Sequence, residues 1–331
     1  MPMPTIIPVA SGKGGVGKSF LAANIAIALS EAGHRVVAVD LDLGAANLHT
    51  FLGIRNRHAG IGDFLKARSA ELTDLVVPTG IERLGFISGD AKTPFMADIT
   101  YQQKRRLISR LSHLPADYLV LDLSTGTAFH TLDFFRLSPF GLLVTTPDDP
   151  SIMNLINFLK LVLVRSIEKA FSGRPAIRKL LANEYVRPHH QQFSTISDLK
   201  TKISSLDPAA GEKTATLLAQ IRPRVVFNLC RSPEEFDLSQ KLDDTIAEKL
   251  SIAVDYFGFV FEDPNMKRPV DASQAYLSMA RKNETAEALR RTARRIETSW
   301  ETPVPDSARQ IRQDLAKDPA TGRSKNPSGD R

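Results

Sequence analysis

Cysteine is almost absent from this sequence: Cys230 is the single one in 331 residues. One thiol cannot build an intrachain disulfide framework, a cysteine-ligated zinc site or a cysteine-held iron–sulfur cluster within one chain. Its scarcity fits a reducing, cytoplasmic setting. Long hydrophobic runs are also missing. The most apolar stretch, from Ile152 to Val164, is interrupted by Asn154, Asn157 and Lys160 and is too short to span a bilayer. Met1 to Thr5 lacks a basic run followed by an apolar stretch, so no signal peptide is expected. What is present is ample apolar material. At 42% hydrophobic residues the chain can bury a sizeable core, which excludes global disorder. Its length accommodates one large α/β domain or two ordinary ones.

The formal net charge of +6 hints at nucleic acid or membrane until its location is considered. Residues 165–222 carry ten Lys/Arg against five Asp/Glu, and residues 267–298 carry eight against four. The rest is mildly acidic. The two basic segments read either as solvated helical faces or as a binding patch.

Short apolar strand candidates at 5–10, 35–40, 81–88, 118–123, 140–146, 224–229 and 256–261 alternate with helical stretches at 20–32, 101–114, 151–171, 237–250, 271–281 and 284–298. This alternation predicts an α/β fold, a doubly wound, mostly parallel sheet with helices on both faces. Residues 1–300 form one domain in this reading. It is interrupted at about 172–222 by a mainly helical insertion, because α/β connections are normally only a few residues long. In the insertion, Ile196, Leu199, Ile203 and Leu206 recur at helical spacing. Residues 301–331 are polar and Pro-containing, and are expected to be a disordered tail.

The segment Gly12-Lys13-Gly14-Gly15-Val16-Gly17-Lys18-Ser19-Phe20 lies between the first strand and the first helix and fits G-x-x-x-x-G-K-[ST]. Glycines let successive backbone N–H groups curl around phosphate oxygens, and the helix start adds its positive dipole end. Lys18 can reach the β- and γ-phosphates, and the Ser19 hydroxyl can ligate Mg²⁺. A carboxylate at the end of an apolar parallel strand lies where α/β ligands bind, and two strands end that way, at Asp40–Asp42 and at Asp122.

The second lysine, Lys13, is not needed by a standard phosphate loop. With it, SGKGGVGKS resembles the deviant loop of the MinD/ParA ATPases. The resemblance implies an ATP-bound homodimer in which Lys13 crosses to the partner's phosphates, with ATP and Mg²⁺ as cofactors. By the same resemblance, VDLDLGAAN is a first switch in which Asp42 positions or deprotonates the attacking water and Asp40 supports the metal shell or the loop. Asp122 holds Mg²⁺ through water, and Gly126 senses the γ-phosphate. Leu123-Ser124-Thr125 departs from the family's usual second switch. Asn228 and Asp263 correspond to adenine contacts, and TTPDDPS resembles the flagellar-number regulator branch. The first strand begins near Thr5, so the N-terminal extension of flagellar regulators is not expected.

The lone cysteine removes the family's cluster carriers, and two function classes remain. One is a spatial-regulation switch for division site, flagellum, chromosome or other cargo. It would have a protein partner, at the insertion 172–222 for example, and a membrane surface or non-specific DNA as further partners. The other is a small-molecule enzyme, amidoligase-like, that activates a carboxylate with ATP. Helix 284–298 has Ala286, Leu289, Ala293 and Ile296 on one face, which allows either sheet packing or peripheral attachment to the inner face of the membrane.

Overall fold

Strands that carry no polar face must be covered on both sides. The computed structural model, which describes residues 3–44, 46–55, 58–66, 71–89, 99–186, 195–267, 275–280 and 283–317, has this arrangement. Its strands are β1 (Thr5–Ala10), β2 (Val36–Leu41), β3 (Val77–Pro78), β4 (Leu84–Ile87), β5 (Tyr118–Leu123), β6 (Leu142–Thr145), β7 (Arg224–Cys230) and β8 (Asp255–Phe261). They form one sheet in the order β3-β4-β2-β5-β1-β6-β7-β8. Every pairing is parallel except that of β3 with β4. The short antiparallel β3 was not expected. It is a two-residue edge strand ending in Pro78, too brief to show a period of its own.

The helices are α1 (Lys18–Glu31), α2 (Leu48–Phe51), α3 (Ile61–Lys66), α4 (Tyr101–Leu111), α5 (Phe129–Phe135), α6 (Asp149–Ala170), α7 (Pro175–Val186), α8 (Ile196–Leu206), α9 (Pro208–Gln220), α10 (Leu238–Leu250), α11 (Tyr276–Met279), α12 (Glu284–Ser299) and α13 (Ser307–Lys317). Strand side chains alternate between two cores, as a period of two requires. Val36, Ala38 and Val120 face a core with α1, α11 and α12. Val37, Val39, Leu119 and Leu121 face the other, which holds α4, α6, α10 and the helices α7–α9. α1 is buried nearly all round, and so its apolar residues form no stripe.

One expectation changes and two are sharpened. Residues 301–331 were expected to be disordered, yet α13 is a helix whose Ile311 and Leu315 enter the core. Two apolar residues one turn apart suffice when a sheet waits to receive them. Residues 318–331, and 271–274 and 281 of the expected helix at 271–281, lie outside the described residues. α6 runs 22 residues and is long and apolar enough to cross a membrane by length and composition, but it packs as a core helix, 61% of its most apolar window being buried. Finally, the apolar face of α12 (Ala286, Leu289, Ala293, Ile296) is buried on the sheet and not presented to lipid.

Several cations of the basic segments are neutralised inside the fold. Arg290 pairs with Glu31 at 2.9 Å, and Arg295 pairs with Asp314. Arg222 and the fully buried Arg224 share Asp255. Arg224 also donates to the carbonyls of Trp300 (2.6 Å) and Thr302 (2.7 Å), and lies between the rings of Phe140 and Phe257 at 4.6 and 4.7 Å. It ties the chain leaving α12 to the sheet.

Because the strands run parallel, the loops after β1, β2, β5 and β7 open on one sheet edge. That edge carries the residues singled out above.

Candidate functional site

The loop between β1 and α1 is shaped from within and from behind. Gly17 is left-handed (φ 83°), and a Cβ there would stand 2.2 Å from Asn228 Nδ2, so only glycine fits. Gly12 lies against the backbone of Asn154 in α6, where a Cβ would meet it at 2.3 Å. At Gly14 and Gly15, by contrast, a Cβ would meet nothing within 4 Å, so the loop is backed at its ends and open in its middle. The Ser11 hydroxyl donates to the Lys13 carbonyl at 2.9 Å.

The two lysines separate. Lys18, at the start of α1, is buried and its Nζ lies 2.5 Å from Asp122 Oδ1 and 3.3 Å from Ser19 Oγ. Lys13 is half-exposed (47%) and lies 3.9 Å from Asp148. Asp148 caps α6 through Ser151 N–H and accepts from the Thr146 hydroxyl. Burial raises its pKa, but those hydrogen bonds and the Lys13 charge outweigh this and hold it below the usual carboxylate value.

Asp40 and Asp122 are opposite each other in neighbouring strands, and both are fully buried. Burial, and then the charge of Asp122, pushes Asp40 up to about 7. Burial also raises Asp122, against the charge and hydrogen bond of Lys18. Asp40 supports the loop, one of the two roles expected of it. Its two oxygens accept from the backbone N–H groups of Asp42 and Leu48 at 3.0 Å each, so it organises the loop after β2. Asp42 itself faces the pocket.

That pocket, about 290 Å³, is lined on the phosphate-loop side by Gly15, Gly17, Lys18, Ser19 and Phe20, and opposite by Asp42 and Thr125. Asn228, Leu229, Phe51 and Met266 also line it. Asn228 also donates to the Val16 carbonyl at 2.8 Å, bracing the loop. Val16 is buried, and Gly12, Lys13, Gly14 and Gly126 do not line the pocket, although Gly126 is left-handed (φ 86°) where the chain turns towards α5. Asp263 does not belong to the pocket. It accepts from Tyr276 Oη (2.6 Å), Asn265 N–H (2.7 Å) and Asn283 Nδ2 (2.6 Å), which outweigh its burial and lower its pKa. It staples the turn whose Met266 lines the pocket instead. Asn47, which ends VDLDLGAAN, lines the pocket too, whereas the sequence left Phe51, Leu229 and Met266 unmarked, because an apolar lining residue contributed from a remote segment has no local pattern. Ser124, in the departing triplet, donates to the Leu41 carbonyl at 3.2 Å and so links the loops after β2 and β5.

The site suits a magnesium nucleotide. Asp122 Oδ2 and Asn228 Oδ1 are buried acceptors with no hydrogen-bond partner, and Gly14 and Gly15 leave the cradle open.

Comparison with known proteins agrees with this geometry. Residues 3–167 match the family model described as "ParA: NUBPL iron-transfer P-loop NTPase". The iron-transfer part of that description meets one buried cysteine here. The antiactivator FleN of Pseudomonas aeruginosa is 27% identical over 326 residues, covering 96% of this chain and 95% of FleN. The septum site-determining protein MinD of Helicobacter pylori is 28% identical over 55% of this chain and 67% of its own. Among solved structures, MinD of Pyrococcus horikoshii complexed with Mg-ADP shares the fold with a TM-score of 0.57, at 19% identity over 89% of this chain and 97% of that one. The chain belongs to the MinD/ParA family of P-loop NTPases.

Proposed function

We propose that this chain is an ATP-operated positioning switch: it binds Mg–ATP, pairs with a second copy across the nucleotides, hydrolyses ATP slowly and passes its state to a partner protein. The relatives support the positioning role, being named for septum site determination, flagellum site determination and antiactivation. The FleN likeness extends through both halves of the chain and favours the flagellar branch.

The observation that carries the reading is the separation of Lys13 from Lys18. Lys18 belongs to its own pocket, whereas Lys13 is absent from that lining and half-exposed at its lip. Its pair with Asp148 is long and solvated, worth about 0–1 kcal/mol, and easily exchanged. A cation delivered from a second copy stabilises charge developing between the β- and γ-phosphates, as an arginine finger does. Lys18 and the loop's backbone N–H groups would hold the phosphates. Ser19 and Asp122 would hold Mg²⁺, which spreads the phosphate charge. Asp42 faces the same space and would orient the attacking water. Asp40 holds the Asp42 loop in place, and the Ser124–Leu41 hydrogen bond couples it to the loop at Gly126.

The test is sedimentation with Mg–ATP in an Asp42→Ala background to block hydrolysis. Dimers are expected, and Lys13→Ala is expected to be monomeric while still binding a fluorescent ATP analogue. Lys18→Ala should lose nucleotide binding itself. A Lys13→Ala variant that dimerises normally with ATP would sink the sandwich reading.

A further inference from the structure

Among the described residues, Tyr101 and Phe129 are the only aromatic side chains more than half exposed, at 60% and 61%. They come from different helices, α4 and α5, and are brought to one face by a buried ionic cluster. Asp133, one turn after Phe129 in α5, is paired with Lys104 of α4 and with Arg165 of α6 (Nε–Oδ1 2.8 Å, Nη2–Oδ2 3.0 Å). Arg165 in turn covers one side of the Phe129 ring at 4.8 Å. One turn further along α6, Lys169 lies 5.3 Å from the Tyr101 ring, and Arg105 of α4 lies 5.9 Å from it.

We infer that this face, centred on Tyr101, Arg105, Phe129 and Lys169, is a docking surface for an acidic segment of a partner protein with apolar residues between its carboxylates. The chemistry is complementary. Lys169 and Arg105 make no ion pair among the described residues, so each keeps charge for an incoming carboxylate, while the two rings offer apolar area. Arg165 is already paired with Asp133 and Glu168. That leaves two cations, too few for the several phosphates a nucleic acid presents, and two rings give no continuous apolar face for a bilayer.

The position adds meaning. Phe129 follows Gly126 by three residues, so α5 continues directly from the loop after β5. α6 carries Arg165 and Lys169 at one end and at the other touches the phosphate loop, Asn154 against Gly12 and Asp148 near Lys13. Of the three helices that form the surface, α5 follows the loop whose Thr125 lines the pocket and α6 touches the phosphate loop. In this respect the inference rests on the switch reading; the existence of the surface does not.

The test is fluorescence anisotropy on the full chain with a short labelled peptide alternating Glu and Leu, and with its Gln/Leu counterpart. The Glu/Leu peptide should bind and the Gln/Leu peptide should not. Tyr101→Ala and Lys169→Glu should each weaken binding about tenfold, with binding of a fluorescent ATP analogue unchanged as the check on folding. Unweakened peptide binding in both variants overturns the inference. So does a loss, in those variants, of binding to duplex DNA or to phosphatidylglycerol vesicles in place of the peptide. Peptide binding that is equal with Mg-ADP and with a non-hydrolysable ATP analogue would support the surface and count against the switch. Absent peptide binding beside intact ATP-dependent dimers would do the reverse.

Discussion

The Asn228 carboxamide near the end of β7 donates to the Val16 carbonyl of the phosphate loop at 2.8 Å, joining positions 212 apart in sequence. The loop's shape therefore depends on the last part of the sheet as well as on its own glycines. Asn228→Ala leaves a buried carbonyl without its donor, a loss of about 1–3 kcal/mol. Nucleotide affinity measured by calorimetry should fall about tenfold, with the far-UV spectrum unchanged. Wild-type affinity would mean that the loop holds its shape unaided.

Two glycines of one motif should respond oppositely to alanine. At Gly12 the new Cβ would lie 2.3 Å from the Asn154 backbone, which has no rotamer with which to move aside. At Gly14 it meets nothing within 4 Å. Thermal melting should show Gly12→Ala clearly destabilised and Gly14→Ala within about 0.5 kcal/mol of the parent. Similar melting of the two would contradict the α6 contact.

The Asp133 cluster predicts a particular acid response. Burial pushes this carboxyl up, but hydrogen bonds from Arg165 and Lys104 prevail and hold it at about 2. Its folded pKa lies below the unfolded value of about 3.9, so its contribution is complete above that value and is lost as pH falls towards about 2. Denaturant unfolding of Asp133→Asn should show a deficit at pH 7 that narrows between about pH 4 and pH 2. A deficit independent of pH would place the loss in packing.

Arg224 should control the docking of α13. Removing one member of a buried ion pair costs about 3–5 kcal/mol. Arg224→Leu should therefore lower stability strongly, and hydrogen exchange should rise first in residues 299–317, where the guanidinium holds three carbonyls. Protection there equal to that of the parent would show that Ile311 and Leu315 suffice alone.

Most of the architecture was legible because its signals are local. Strands that repeat apolar residues without a polar face require cover on both sides, and Gly12 to Ser19 can be read as a phosphate cradle wherever strand and helix flank it. What escaped was cooperative. The helix at 307–317 draws its stability from a sheet far away in sequence, so its own polar composition suggested disorder. The low local hydropathy around α13 says nothing about the surface it meets.

The same division runs through the site. By itself the sequence determined that Lys13, Lys18, Ser19, Asp42 and Asp122 would gather at one sheet edge, on strand ends, helix starts and the loops between them, because parallel strands present their C-terminal ends together. Only the tertiary structure decided what each of them touches. It placed Lys18 on Asp122, gave both Asp40 oxygens to backbone N–H groups, and turned Asp263 away to staple a turn while Met266 took the pocket. Carboxylates of one kind look alike along a chain. Which of them meets a ligand and which holds a loop depends on the donors that folding brings within hydrogen-bond distance, and those donors come from remote parts of the sequence.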